Sequence, residues 1–182
     1  MWQRTSLDMR TFENVSYVMG VDPGLDGGIT VLRCYPAEDG GPGCRYDIAL
    51  SVAMPTLEGS KRRYDLRAII NVFRTYPISR ATIEKVGAMP GQGVTSMFNF
   101  GYGAGLLEGI MAALDIPYQL VIPQTWMKKV LTGLPKDEKS KSSVVYCQRL
   151  FPTIDWRRTD RCKVPHDGKT DSCCIAIFTL EN

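Results

Sequence analysis

The chain has 182 residues, of which 44% are hydrophobic and 23% charged, and it carries a formal net charge of +3. That length accommodates one domain with a proper core, and that composition excludes a disordered chain. No apolar run approaches the roughly 18 residues a membrane span needs, and residues 1–16 are polar without an apolar signal core, so they read as a flexible tail before a domain at 17–182.

In chain order, Tyr17–Val21 is short, apolar and β-prone, with Gly24 and Gly27-Gly28 forming a turn behind it. Ile29–Cys34 and Asp47–Val52 predict a second and a third strand, separated by the turn-forming Asp39-Gly40-Gly41-Pro42-Gly43. Tyr64–Tyr76 carries Leu66, Ile69, Ile70 and Phe73 at helical spacing. Ala81–Val86 is the expected fourth strand. A helix capped by Thr95 or Ser96 then runs to Leu114. Tyr118–Ile122 is the fifth strand, and Pro123 opens a short helix to Val130, as proline does in a first turn. Asp137–Leu150 and Asp167–Leu180 are two further helices. With no repeat and no linker, this order predicts one α/β domain: a mixed five-stranded sheet flanked by helices. A three-strand meander followed by strands alternating with helices is the element order of the ribonuclease H-like fold. A fold-level analogy of this kind licenses no function by itself.

The six cysteines form no C-x-x-C pair, and Cys173-Cys174 lie in an apolar stretch where cysteine acts as a small hydrophobe. The expectation is free thiols in an intracellular, reducing compartment. Cys162 and His166, the one histidine, lack the partners for a zinc site. Residues 123–171 hold 11 Lys+Arg against 6 Asp+Glu. A basic third beside acidic residues suits a phosphate-binding nuclease, and an ordinary solvated surface accounts for it equally well.

Four carboxylates stand out by placement. Asp22 ends the first strand, Glu84 lies near the end of the fourth, and Asp167 and Asp171, four apart, share one face of the last helix. Singly, each has a structural reading: Asp22 bracing its turn, Glu84 pairing with a lysine, Asp167 capping its helix. As a converging set they would repel one another unless cations neutralise them. Hard oxygen ligands suit magnesium or manganese, and two such ions can activate water, hold a scissile phosphate and stabilise the leaving oxygen. One histidine and no nucleophile elbow argue against a Ser-His-Asp mechanism. His166 either contacts the scissile phosphate or simply sits in its loop.

Val21-Asp22-Pro23-Gly24, Ile83-Glu84-Lys85-Val86, and His166-Asp167-Gly168-Lys169-Thr170-Asp171 with the apolar run after it resemble, in order and spacing, the acidic motifs of the RuvC class of Holliday junction resolvases. Phe100-Gly101-Tyr102-Gly103 and Pro123-Gln124-Thr125-Trp126 fit between them, and the likeness extends from Tyr17 onward, nearest to the phage and chloroplast type. It implies a magnesium-dependent endodeoxyribonuclease, with manganese substituting, that binds four-way junction DNA as a homodimer. Paired symmetrical nicks would leave 5′-phosphates that a ligase can seal. Asp22, Glu84, Asp167 and Asp171 would be the metal-binding catalytic set, and an organelle or a phage-infected host would be the setting. Lys128 and Lys139 fall where the family places DNA-binding lysines, and Lys129 and Lys141 can join them as point charges to phosphate; a solvated lysine-rich face is the alternative.

The pattern departs from the family in two places. Bacterial members space the last two acids by three, whereas Gly168 stands at that position here. Their junction-stacking aromatic is replaced by Gly87, leaving Met89 or Phe98 as an apolar wedge and Gln92 as a base-edge partner. Gly101, Gly105 and Gly109 share one helix face, which calls for close backbone approach by a dimer partner or by the chain's own sheet. The rivals are a nuclease of this fold acting on flaps or RNA·DNA hybrids, a catalytically silent junction-binding protein, and a phosphate-binding ATPase using Asp22-x-Gly24-x-x-Gly27, for which one short domain is too small.

Overall fold

The computed structural model describes residues 15–36, 44–85, 87, 91, 93–134 and 141–182. Residues 1–14 of the tail expected over 1–16, the turn at 39–43, Met89, Gln92, Lys139 and the start of the helix expected from Asp137 lie outside the described residues, and Ser16 already belongs to the first strand.

Five strands form one mixed sheet: β1 (Ser16–Asp22), β2 (Gly28–Pro36), β3 (Cys44–Ala53), β6 (Ile78–Glu84) and β7 (Tyr118–Val121), in the order β3-β2-β1-β6-β7. The three N-terminal strands are an antiparallel meander, and β6 and β7 add in parallel to its β1 edge. Two strands were not anticipated. β4 (Thr56–Leu57) and β5 (Arg63–Tyr64) make a separate antiparallel ribbon, two residues per strand being too short for any periodicity to register. Tyr64 therefore belongs to the ribbon, and α1 (Leu66–Arg74) starts after it, capped by Asp65, whose carboxylate accepts from the Ala68 amide at 3.0 Å.

The other helices are α2 (Val94–Ala113), α3 (Pro123–Val130), α4 (Ser142–Leu150) and α5 (Asp167–Leu180). Pro123 opens α3 as expected, but Gly93, and neither Thr95 nor Ser96, is the N-cap of α2. Among the described residues no helix is long and apolar enough to cross a membrane, and all six cysteines are free.

Side chains alternate across a strand, and here the alternation separates two cores. Met19 and Val21 of β1, with Ala81 and Ile83 of β6, pack under Ile69, Phe73, Leu107 and Met111 of α1 and α2. Val18 and Leu32 face the opposite way, toward Trp126, Cys147, Cys173, Cys174 and Ile177 of α3, α4 and α5. Each buried Val, Leu, Ile, Phe or Met among them contributes roughly 1.5–3 kcal/mol by leaving water. On that second face, Gly20 lets α5 lie directly on β1: a Cβ there would meet the Ala176 amide nitrogen and the Ser172 carbonyl oxygen at 2.2 Å. Thr30 and Ser172 pair their hydroxyls at 2.9 Å across this seam, and Thr179 donates to Thr82 at 2.8 Å.

Candidate active site

The same alternation places the acids. Counting by twos from Val18 and Gly20 brings Asp22 onto the α5 face of β1, and counting from Thr82 brings Glu84 onto the α5 face of β6. Because β1 and β6 are parallel and Val21 pairs with Ile83, Asp22 and Glu84 end neighbouring strands at the same sheet edge. The first turn of α5 supplies Asp167, and Asp171 follows one turn later on the same face. An open cleft of about 410 Å³ is lined there by Asp22, Asp167, Asp171 and Lys141, among others. Glu84 stands beside Asp22 and is not part of the cleft wall.

Burial pushes the Asp22 carboxyl up to about 7, and the neighbouring Glu84 and Asp171 charges push the same way, against the Gly24 amide and Lys141. That amide donates to Asp22 Oδ1 at 3.2 Å, which is the turn-bracing role expected for Asp22 singly. Burial also raises Glu84, opposed by a hydrogen bond from Trp126 and reinforced by Asp171. Asp171 is raised by burial and by Asp167, opposed by the Ser143 hydroxyl and Lys141. Three carboxyls held above their ordinary range at one strand edge are costly to the fold, and this is the perturbation expected where charge is kept for chemistry.

Lys141, at the N-cap of α4, reaches into the cluster: its Nζ lies 2.8 Å from Asp167 Oδ2 and 3.9 Å from Asp171 Oδ2. Burial works against its charge, but the surrounding carboxylates outweigh that and raise its pKa. A cation therefore already sits among these acids. Among the described residues no three Asp, Glu, His or Cys side chains close on a metal site by themselves. Magnesium is held by one or two carboxylates, with water and substrate phosphate completing its shell, so an all-oxygen set of this kind fits an ion that shares its ligands with DNA.

The acid at 167 has a steric reason. The first turn of α5 lies on the β1–β2 turn so closely that a Cβ on Gly168 would fall 2.3 Å from the Asp26 carbonyl oxygen. A side chain three residues before Asp171 has no room, and the acid stands one residue earlier, at 167.

The predicted lysines separate. Lys128 is exposed on α3. Lys129 instead holds the end of α5, donating to the Glu181 carbonyl at 2.6 Å and to Asn182 Oδ1 at 3.0 Å above the Phe178 ring. Phe98 is 71% exposed on the first turns of α2. His166 is the N-cap residue of α5; its Nδ1 is buried without a partner among the described residues, and burial lowers its pKa.

Three further groups shape the site and were not singled out from sequence. Trp126 donates its indole N–H to Glu84 Oε1 at 2.8 Å, fixing that carboxylate from 42 residues away. The Tyr64 hydroxyl donates to the Pro23 carbonyl at 2.8 Å and steadies the turn behind Asp22. Lys169, 7% exposed, donates to the Asp155 and Arg157 carbonyls at 2.6 and 3.2 Å and anchors the loop before α5. Trp126 and Lys169 fall inside segments that carry the resemblance, but neither is assigned a role there, and their partners are set by packing.

No protein-family model matches the chain, and no curated protein matches it by sequence. Solved structures do. RuvC of T. thermophilus in complex with a Holliday junction substrate matches with a TM-score of 0.59 at 12% identity, over 91% of this chain and 94% of that one. The yeast mitochondrial Holliday junction resolvase matches at 0.57 and 15%, over 88% and 76%. The fowlpox virus resolvase with its substrate Holliday junction DNA matches at 0.52 and 12%, over 90% and 98%. The five-stranded mixed sheet with its flanking helices is thus the ribonuclease H-like fold in the form these RuvC-type resolvases share.

Proposed function

We propose that the protein is a magnesium-dependent endonuclease that resolves four-way DNA junctions. The observation that carries this reading is the convergence of Asp22, Glu84 and Asp171 at one strand edge, with Asp22 held at about 7 by burial and by its acidic neighbours. A fold built for stability alone gains nothing from that arrangement. Magnesium, or manganese in its place, would be held by Asp22, Glu84, Asp171 and Asp167 and would supply water activation and stabilisation of the leaving oxygen. Trp126 keeps Glu84 in one orientation. Lys141 balances Asp167 and Asp171 before substrate arrives and offers its ammonium to phosphate when they turn to the cation. Lys128 adds an exposed charge for the backbone of a DNA arm.

Two nicks across a junction require two sites, and the exposed face of α2 supports a homodimer. Gly101, Gly105 and Gly109 share that face, and a Cβ at any of them would meet nothing within 4 Å. The chain's own sheet therefore does not explain three helix glycines that each cost about 1 kcal/mol. Phe98 and Tyr102 beside them are exposed, and a second copy would cover both.

The test is a nicking assay with magnesium on a synthetic four-way junction beside linear duplex, a flap and an RNA·DNA hybrid. Paired symmetrical nicks confined to the junction are expected. Cutting of the flap or hybrid instead would overturn the substrate, and no cutting of any of them would overturn the activity.

A further inference from the structure

Beside the acids the cleft carries a second, oppositely charged feature. Asp26, at the tip of the β1–β2 turn, is 75% exposed, yet two arginines converge on its Oδ1: Arg62 Nη2 at 2.7 Å and Arg158 Nη1 at 3.0 Å. Arg62 comes from the β4–β5 ribbon and lines the cleft with Asp26. Arg158 comes from the loop before α5 and also reaches Thr56 Oγ1 at 3.4 Å. We propose that Arg62 and Arg158 form the receiving site for the DNA phosphodiester adjacent to the one that is cut, with Asp26 as the resident anion that the phosphate displaces. This rests on the DNA-cleavage reading above and adds to it the residues that set the strand's register.

Both arginine side chains are only about a quarter exposed, 27% and 26%, so their reach to Asp26 is confined. The buried Lys169 ammonium grips the carbonyls of Asp155 and Arg157, immediately before Arg158. The Asp26–Gly27 backbone in turn lies directly on Gly168, in the first turn of α5. The fork is therefore in fixed register with Asp167 and Asp171. Two guanidinium charges share a single carboxylate oxygen, which leaves a net positive charge and unspent N–H donors beside a strongly acidic pocket. Arginine forks match phosphate geometry, and a pairing with an exposed carboxylate is weak enough to exchange. A strand bound at the fork passes its next phosphate over the acids.

The plain alternative is a clamp that only ties three loops together, and the two differ in sign at Asp26. Junction binding would be followed by fluorescence anisotropy without added metal across a salt series, with thermal melts of every variant. Arg62→Ala and Arg158→Ala are each expected to weaken binding about 5- to 10-fold and flatten the log–log salt slope by about one. Asp26→Asn is expected to tighten binding about 3-fold, because the competitor is gone. Arg62→Lys and Arg158→Lys, which keep the charge and the fold but lose the fork, should fall between. Unchanged affinity and slope in the alanine variants, with the wild type binding normally, would overturn the inference and leave the nuclease reading intact. An Asp26→Asn that melts earlier without binding tighter would assign the clamp and also overturn it. A wild type that binds no DNA would overturn the nuclease reading beneath it.

Discussion

Two stretches of the same helix follow opposite rules. From Ser172 to Thr179, α5 lies on β1 with backbone against backbone at Gly20, and its buried hydroxyls are paired with Thr30 and Thr82. At the residue just before, Asp171 stands with Asp22 and Glu84, all three carboxyls displaced upward by burial and by neighbouring acids. The seam is where the chain gains stability; the cleft at its end is where it gives some up. Rigidity in the first makes strain in the second possible, because a helix clamped along eight residues cannot swing its first turn away from the acids.

The largest effect should come from breaking the cleft without touching the seam. Asp22→Asn is expected to lower junction cutting by at least about 100-fold, since an interaction with the transition state is lost, while raising metal-free stability at pH 8. Opposite signs in a cutting assay and a melt would sharpen the contrast; a parallel loss in both would erase it. Gly20→Ala attacks the seam instead. Its methyl has only backbone to displace, so a loss of about 3 kcal/mol or more is expected in denaturant unfolding, and an unaltered midpoint would show that α5 is not clamped there.

Smaller effects probe how the two regions join. Trp126→Phe removes the donor to Glu84 and keeps the bulk. A loss of roughly 5- to 10-fold in cutting with little change in melting is expected. The pH dependence of stability follows from the displaced acids. Asp22 holds its proton up to about 7 in the folded chain and only to its ordinary carboxylate range when unfolded. The folded state therefore binds more protons between those values, and stability should rise as pH falls from 8 to 6.5 without metal. Below that, His166, whose folded pKa is lowered, begins to oppose the trend. Asp22→Asn should flatten the rise, and an equally steep rise in that variant would move its origin elsewhere. Least of all, Lys128→Ala should reduce the salt slope of junction binding by about one.

The seam was more legible in the sequence than the cleft. Period-two strands and the long apolar run of α5 reveal the sheet and its central helix. Asp22 and Glu84 are visible because each ends a strand, and Asp167 with Asp171 because they are four apart. What the sequence hides depends on where elements pack. Lys141 looks like one more lysine of a basic stretch, and only the docking of α4 on α5 brings it between two aspartates. The β4–β5 ribbon is too short to show a period, and Arg62 went unnoticed with it. Thr95 and Ser96 have the better capping chemistry, yet α2 starts at Val94 with Gly93 as its N-cap.

The most direct test of the central claim is one junction offered to the wild type and to Asp171→Asn, with binding and strand cleavage read from the same samples in magnesium. The account predicts that both bind with similar affinity and that only the wild type cuts. A variant that cuts at the wild-type rate would show that the acids beside α5 are not the catalytic centre.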